Sequence, residues 1–92
     1  MLTYLITYDL KQPGRDYPPL HRLLGVQWKA SRVAESVWIA ELKGPASAVL
    51  DVLRSVTDPT TRIFVLEIKP RSDWASFRAN PAGLNILKRT SP

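Results

Sequence analysis

The first apolar run, Leu2-Thr3-Tyr4-Leu5-Ile6-Thr7-Tyr8, is rich in β-branched and aromatic residues and apolar on both alternating faces. That pattern predicts a central strand. Asp9 closes it, and Lys11-Gln12-Pro13-Gly14 supplies turn chemistry before Asp16 and the Pro18-Pro19 pair, which suit the first turn of a helix. Leu20, Leu23 and Leu24 recur at helical spacing and Gly25 stands where a left-handed terminator belongs, so 17–24 reads as a short helix. Trp28 to Val33 and Ser36 to Lys43 are strand-like runs, and the brief Ala34-Glu35 connection makes them antiparallel. Gly44-Pro45 opens a second helix, in which Val49, Val52, Leu53 and Val56 form one apolar stripe. Asp58-Pro59-Thr60-Thr61 ends it, and Arg62 to Ile68 is again a near-continuous apolar strand, stopped by Pro70. Trp74-Ala75-Ser76-Phe77 follows, and Asn80-Pro81 pairs a capping residue with proline at the first helical position, which predicts a terminal helix over 81–89.

The order βαββαβ predicts an α+β, ferredoxin-like split-βαβ fold, with a four-stranded antiparallel sheet and two helices on one face. Residues 1–92 form a single domain with its core in 2–68 and a short C-terminal strand or helix extension over 71–90. The face opposite the two helices then has no cover. Leu5, Val37 or Trp38, Ile39 and Val65 on that face would leave an apolar patch of several hundred Å2, roughly the largest a monomer exposes. The expected remedy is a homodimer with bare faces opposed, residues 71–78 adding an edge strand to the partner's sheet.

Composition narrows the chemistry. With no cysteine, disulfides, thiolate metal sites and cysteine nucleophiles are excluded, and nothing points to an oxidising compartment. The apolar run at the start is too short to span a bilayer and lacks preceding basic residues, so no membrane association and a cytoplasmic location are expected. A net charge of +5 and a pI near 10.0 favour polyanionic partners, with basic solubility as the plain alternative. The excess lies toward the end, where residues 62–92 carry six basic and two acidic side chains.

No phosphate-cradling glycine loop, metalloprotease motif or EF-hand loop occurs. His21, the one histidine, reads as a solvated position on the short first helix. Asp9 has two readings. It starts a turn by bonding nearby backbone N–H groups, or, across the axis of a dimer, it meets its own copy and holds Mg2+ for phosphodiester hydrolysis. Arg32, Ser36 and Trp38 cluster near the hairpin turn, where hydroxyl and guanidinium groups suit phosphate, and equally suit a solvated hairpin end. The three tryptophans read more readily as core and interface than as base-stacking platforms, and the aromatic signature of sheet-surface RNA readers is missing.

Tyr4-Leu5-Ile6-Thr7-Tyr8-Asp9-Leu10, Ser36-Val37-Trp38-Ile39-Ala40-Glu41-Leu42, the helix from Pro45 and Arg62-Ile63-Phe64-Val65-Leu66 resemble the CRISPR-associated endonuclease family Cas-two over residues 2–68. The start, continued through Lys11-Gln12-Pro13-Gly14-Arg15-Asp16-Tyr17, is similar to its stand-alone SinR-like branch. The resemblance implies a ferredoxin-like homodimer with opposed sheets. It also implies a metal-dependent endonuclease acting on RNA or DNA, with Asp9 as magnesium (or manganese) ligand and catalytic residue. Ser36 and Trp38 map onto a serine and aromatic pair that is often serine and phenylalanine in relatives. A CRISPR integrase is an implied partner. The helix after the aspartate departs from the family, carrying only Arg15, His21 and Arg22 around two prolines where relatives have several Arg and Lys. In the nuclease reading, Arg15, Arg22 and Ser36 position the phosphate backbone. The alternative is a non-catalytic dimeric nucleic-acid-binding or assembly module, with Arg71, Arg78, Lys88 and Arg89 holding phosphates or a protein partner. A small-molecule regulatory domain on the same fold ranks last, for want of glycine-rich loops and polar pocket residues.

Overall fold

A strand apolar on both faces has to be covered on both, and the fold follows from that requirement. In the computed structural model, which describes residues 1–9 and 18–90, the chain forms β1 (Leu2–Asp9), then α1 (Pro18–Arg22) continuing into a π-helical turn (Leu23–Gln27). There follow β2 (Ser31–Ala34), β3 (Val37–Leu42), α2 (Ala46–Ser55), β4 (Arg62–Ile68) and α3 (Pro81–Thr90). The strands make one antiparallel sheet in the order β2-β3-β1-β4, an α+β arrangement compatible with a ferredoxin-like fold.

On the first face Tyr4, Ile6 and Tyr8 of β1 lie beside Trp38, Ala40 and Leu42 of β3. Leu20, Leu23 and Leu24 from α1 and its π-helical turn, with Val49 and Leu53 from α2, close over them. The period-2 alternation of the strands and the helical stripes meet here as expected.

The second face differs from the sequence expectation, because it is not bare. Ile39 packs with Ile86 and Leu87 of α3, and Leu5, Val33, Ile68 and Leu84 complete a second apolar cluster. Trp38 and Val65 belong to the first core. The register explains this, since Ile6 sits opposite both of them. On the sheet itself the large apolar groups left open are on the edge strand β4, where Phe64 and Leu66 are 57% and 49% exposed, and Phe77 is open beyond the sheet.

The C-terminal helix starts where its capping signal stands. Asn80 Oδ1 accepts from the Ala82 N–H at 3.0 Å, and Pro81 takes the first position. Gly83, Ile86 and Leu87 are its buried residues, at i, i+3 and i+4. Residues 71–78 form no strand; the chain turns at Lys69, whose carbonyl accepts from the Ser72 N–H at 3.1 Å, and reaches the opposite edge of the sheet, where the Asn80 N–H donates to the Val33 carbonyl at 3.0 Å. The segment therefore straps the chain's own second face, and its Arg71 and Arg78 take left-handed φ values of 67° and 58°.

Local signals shifted in two other places. The first helical segment does not stop at Gly25 but runs on to Gln27, with the Trp28 N–H bonded to the Leu23 carbonyl at 2.9 Å; the left-handed residue is Lys29, at φ 52°. The hairpin turns at Glu35-Ser36, one residue later than expected, because β2 begins only at Ser31 and a register shift falls between Arg32 and Ala34.

Gly83 is where α3 approaches the sheet most closely. A Cβ there would lie 2.4 Å from Val33 Cγ1 and 2.6 Å from the Arg32 carbonyl oxygen, whereas one on Gly25 would meet nothing within 4 Å. Alanine in place of a helical glycine gains about 1 kcal/mol of propensity, and overpacking against a backbone costs about 1–3 kcal/mol. Gly83→Ala is expected to lower the urea midpoint and Gly25→Ala to hold or raise it. A Gly83→Ala midpoint at or above the parent's contradicts the close docking of α3.

Candidate nucleic-acid interface

Strand alternation puts Tyr8 on the first face and Asp9 on the second, at the end of β1 where the β1–α1 connection begins. Arg32 of β2 shares a rung with Trp38 of β3. Trp38 Nε1 donates to the Tyr8 hydroxyl at 3.0 Å in the buried interior, which fixes the plane of the indole. The Arg32 guanidinium lies over that indole, 4.6 Å from the ring centroid. Its Nη2 makes a long 3.4 Å contact with His21 Nε2, and the His21 ring stands 6.4 Å from Trp38. Guanidinium groups can only donate, so in this contact the acceptor is His21 Nε2. Arg32 Nε is buried without an acceptor among the described residues.

This is a held cation with unused donors. Stacking on a buried indole restricts the guanidinium before any ligand arrives, so less freedom is lost when it binds a phosphate or carboxylate. Neither of the two salt bridges among the described residues involves Arg32. Such an arrangement has the chemistry to hold an anion.

The other predicted residues fall as follows. Asp9 is exposed and shares its rung with Arg62; the two help to line a shallow cleft of about 190 Å3 with Thr7, Tyr8, Ile63 and Phe64. Arg15 lies outside the described residues. Arg22 is exposed at the end of α1, next to His21, and Ser36 is half-buried in the hairpin turn. Arg71 and Arg78 are exposed on the strap, and Lys88 is exposed on α3. Arg89 is engaged by Glu41 at 2.7 Å. The cations of the tail thus sit on the strap and α3, on the second face, and the Arg32 array sits on the first.

Three members of the array were legible in part. His21 is half-buried rather than solvated, because it follows the fully buried Leu20 and turns toward the edge of the sheet. Tyr8 was not singled out, although its alternation with Tyr4 and Ile6 already put it on Trp38's face. Of the tryptophans, Trp38 is buried, Trp28 packs partly against the first core, and Trp74 is 37% exposed on the strap.

The described residues of one chain do not by themselves assemble a magnesium centre. Among the described residues no three histidine, aspartate or glutamate side chains converge, and Asp9 has the Arg62 cation as its rung neighbour. Magnesium is usually bound by one or two carboxylates with waters and substrate phosphates; the described residues place no second carboxylate in the cleft beside Asp9, and Asp16 lies outside them.

No family model, curated protein or solved structure matches the chain. The resemblance to the Cas-two family rests on the motifs of residues 2–68. No helix among the described residues is long and apolar enough to cross a membrane.

The buried Tyr8–Trp38 bond predicts a measurable coupling. Tyr8→Phe and Trp38→Phe are each expected to destabilise, and a double-mutant cycle in urea should return about 0.5–1.5 kcal/mol. Removing the exposed Arg89–Glu41 pair by Arg89→Ala should cost at most about 1 kcal/mol. A coupling of zero would mean that the bond does not order the indole.

Proposed function

We propose that this chain is a non-catalytic nucleic-acid-binding module of the Cas-two type, which grips the phosphate backbone through Arg32 and His21 at the β1–α1 end of the sheet. The observation that carries this reading is the Arg32 guanidinium, stacked on Trp38, touching His21 and in no salt bridge with any described residue. A phosphate oxygen that meets the half-buried guanidinium supplies the opposite charge and an acceptor for its outer N–H groups. The net charge of +5 adds long-range attraction to a polyanion. Arg22, exposed beside His21, extends the same surface.

Two copies pair, in this reading, through the apolar strip that Phe64 and Leu66 leave on the edge strand β4. Full opposition of two sheet faces is disfavoured because α3 and the strap already cover much of that surface. The same cover works against the nuclease alternative, which needs two Asp9 carboxylates brought together across an axis.

Fluorescence anisotropy with labelled single-stranded RNA and duplex DNA, titrated over a range of salt, separates the readings. Arg32→Ala is expected to weaken binding by about tenfold and to lower the magnitude of the salt slope by about 0.7–0.9, the contribution of one phosphate contact. Arg32→Lys should recover only part of the affinity, since an ammonium does not stack as a guanidinium does. Asp9→Asn should bind as the parent does. Unchanged binding by Arg32→Ala contradicts the proposal, and cleavage of either nucleic acid with Mg2+ or Mn2+ that Asp9→Asn abolishes replaces it with the nuclease reading.

A further inference from the structure

The strap and α3 do not seal the second face completely. Between them and the sheet lies a half-open cavity of about 550 Å3, within the roughly 300–1,000 Å3 of small-molecule sites. Its walls are chiefly apolar: Leu5 and Ile39 from the sheet floor, Leu66 from β4, Leu84 and Leu87 from α3, and Trp74 from the strap. None of the residues of the Arg32 array lines it. The cavity is separate from the proposed phosphate site, and it shares only Leu66 with the β4 strip proposed to pair two copies.

Three residues that carry a carboxylate or a guanidinium are among the lining, but Glu67 alternates with Ile63 and Val65, so its side chain turns to the first face. Glu67 is neutralised by Lys69 at 3.0 Å. Asp73 and Arg78 remain, both on the strap, and neither forms a salt bridge with the other or with any described residue. Arg78 is instead placed over the ring of Phe77, 5.2 Å from its centroid, on a backbone at φ 58° that side chains rarely adopt. One free negative and one free positive charge therefore border a single apolar cavity without cancelling each other.

A ligand that complements both carries one ammonium, one carboxylate and an apolar body. We propose that this cavity binds a free amino acid with a large aromatic or aliphatic side chain. The side chain lies against Leu5, Ile39, Leu66 and Leu87, the carboxylate meets Arg78, and the ammonium meets Asp73. Apolar burial supplies most of the affinity and the two charges supply selectivity. A guanidinium suits a carboxylate because its planar N–H pair matches the two oxygens.

The test uses L-phenylalanine, phenethylamine and 3-phenylpropionate, which share a ring and differ by one charged group each. Isothermal titration on the full chain, with amide chemical shifts followed in parallel, should show one site per chain for L-phenylalanine and shifts confined to residues 69–80, α3 and the facing strands. Phenethylamine and 3-phenylpropionate should bind about tenfold more weakly, the loss of one charge-assisted contact each. Arg78→Ala should remove the preference for L-phenylalanine over phenethylamine, and Asp73→Asn the preference over 3-phenylpropionate. Both positions are exposed, so the variants should fold as the parent does. The proposal is overturned by the absence of saturable binding at millimolar ligand, by shifts centred elsewhere, by equal affinity of the three ligands, or by variants that leave the preferences intact.

Discussion

The fold depends on how the second face of its sheet is covered. Leu5 and Ile39 stand on the opposite side of the central strands from Tyr4 and Ile6, and a strand that is greasy on both sides cannot be satisfied by one layer of helices. The chain meets this demand with its own last helix. Ile86 and Leu87 close on Ile39, and a glycine between them and the cap lets the helix backbone come down against β2. The result is a sheet between two helical layers, with the β4 strip and a strapped cavity left open on its second face.

That docking also bears on the proposed phosphate site, through β2. Val33 and the Arg32 carbonyl lie under Gly83 on one side of the strand, while the Arg32 side chain lies over Trp38 on the other. The β2 backbone is thus fixed from below by α3 and from above by an aromatic platform that a buried hydrogen bond to Tyr8 orients. A short strand of four residues with a register shift in it has little stability of its own. The two layers supply it, and the guanidinium inherits a defined position.

Much of this was legible in the sequence. The two-sided apolar run of β1, the stripe of α2 and the Asn80-Pro81 cap announced their elements, and the antiparallel order followed from the short hairpin connection. The cover of the second face was not, because an amphipathic helix at the end of a chain reads the same whether it packs on its own sheet or on a neighbour's. Gly83 was the available signal: a glycine in the apolar stripe of a helix marks a close backbone approach. The array was half legible. Arg32 and Trp38 were placed together by the hairpin, but the one-residue displacement of the turn moved Ser36 out of the strand, and His21 was assigned to solvent for lack of a visible partner. That partner came from β2, eleven residues along, and only the tertiary packing of α1 on the sheet brings the two together.

The central claim is that α3 rests on the sheet of its own chain. Hydrogen exchange of the α3 amides, measured over a hundredfold range of protein concentration, tests it most directly, because an intramolecular contact is protected independently of concentration. The account predicts slow exchange at Ile86 and Leu87, matched to that of β3 and unchanged on dilution. Protection that is absent, or that is lost on dilution, would mean that the second face is bare or is covered by another copy.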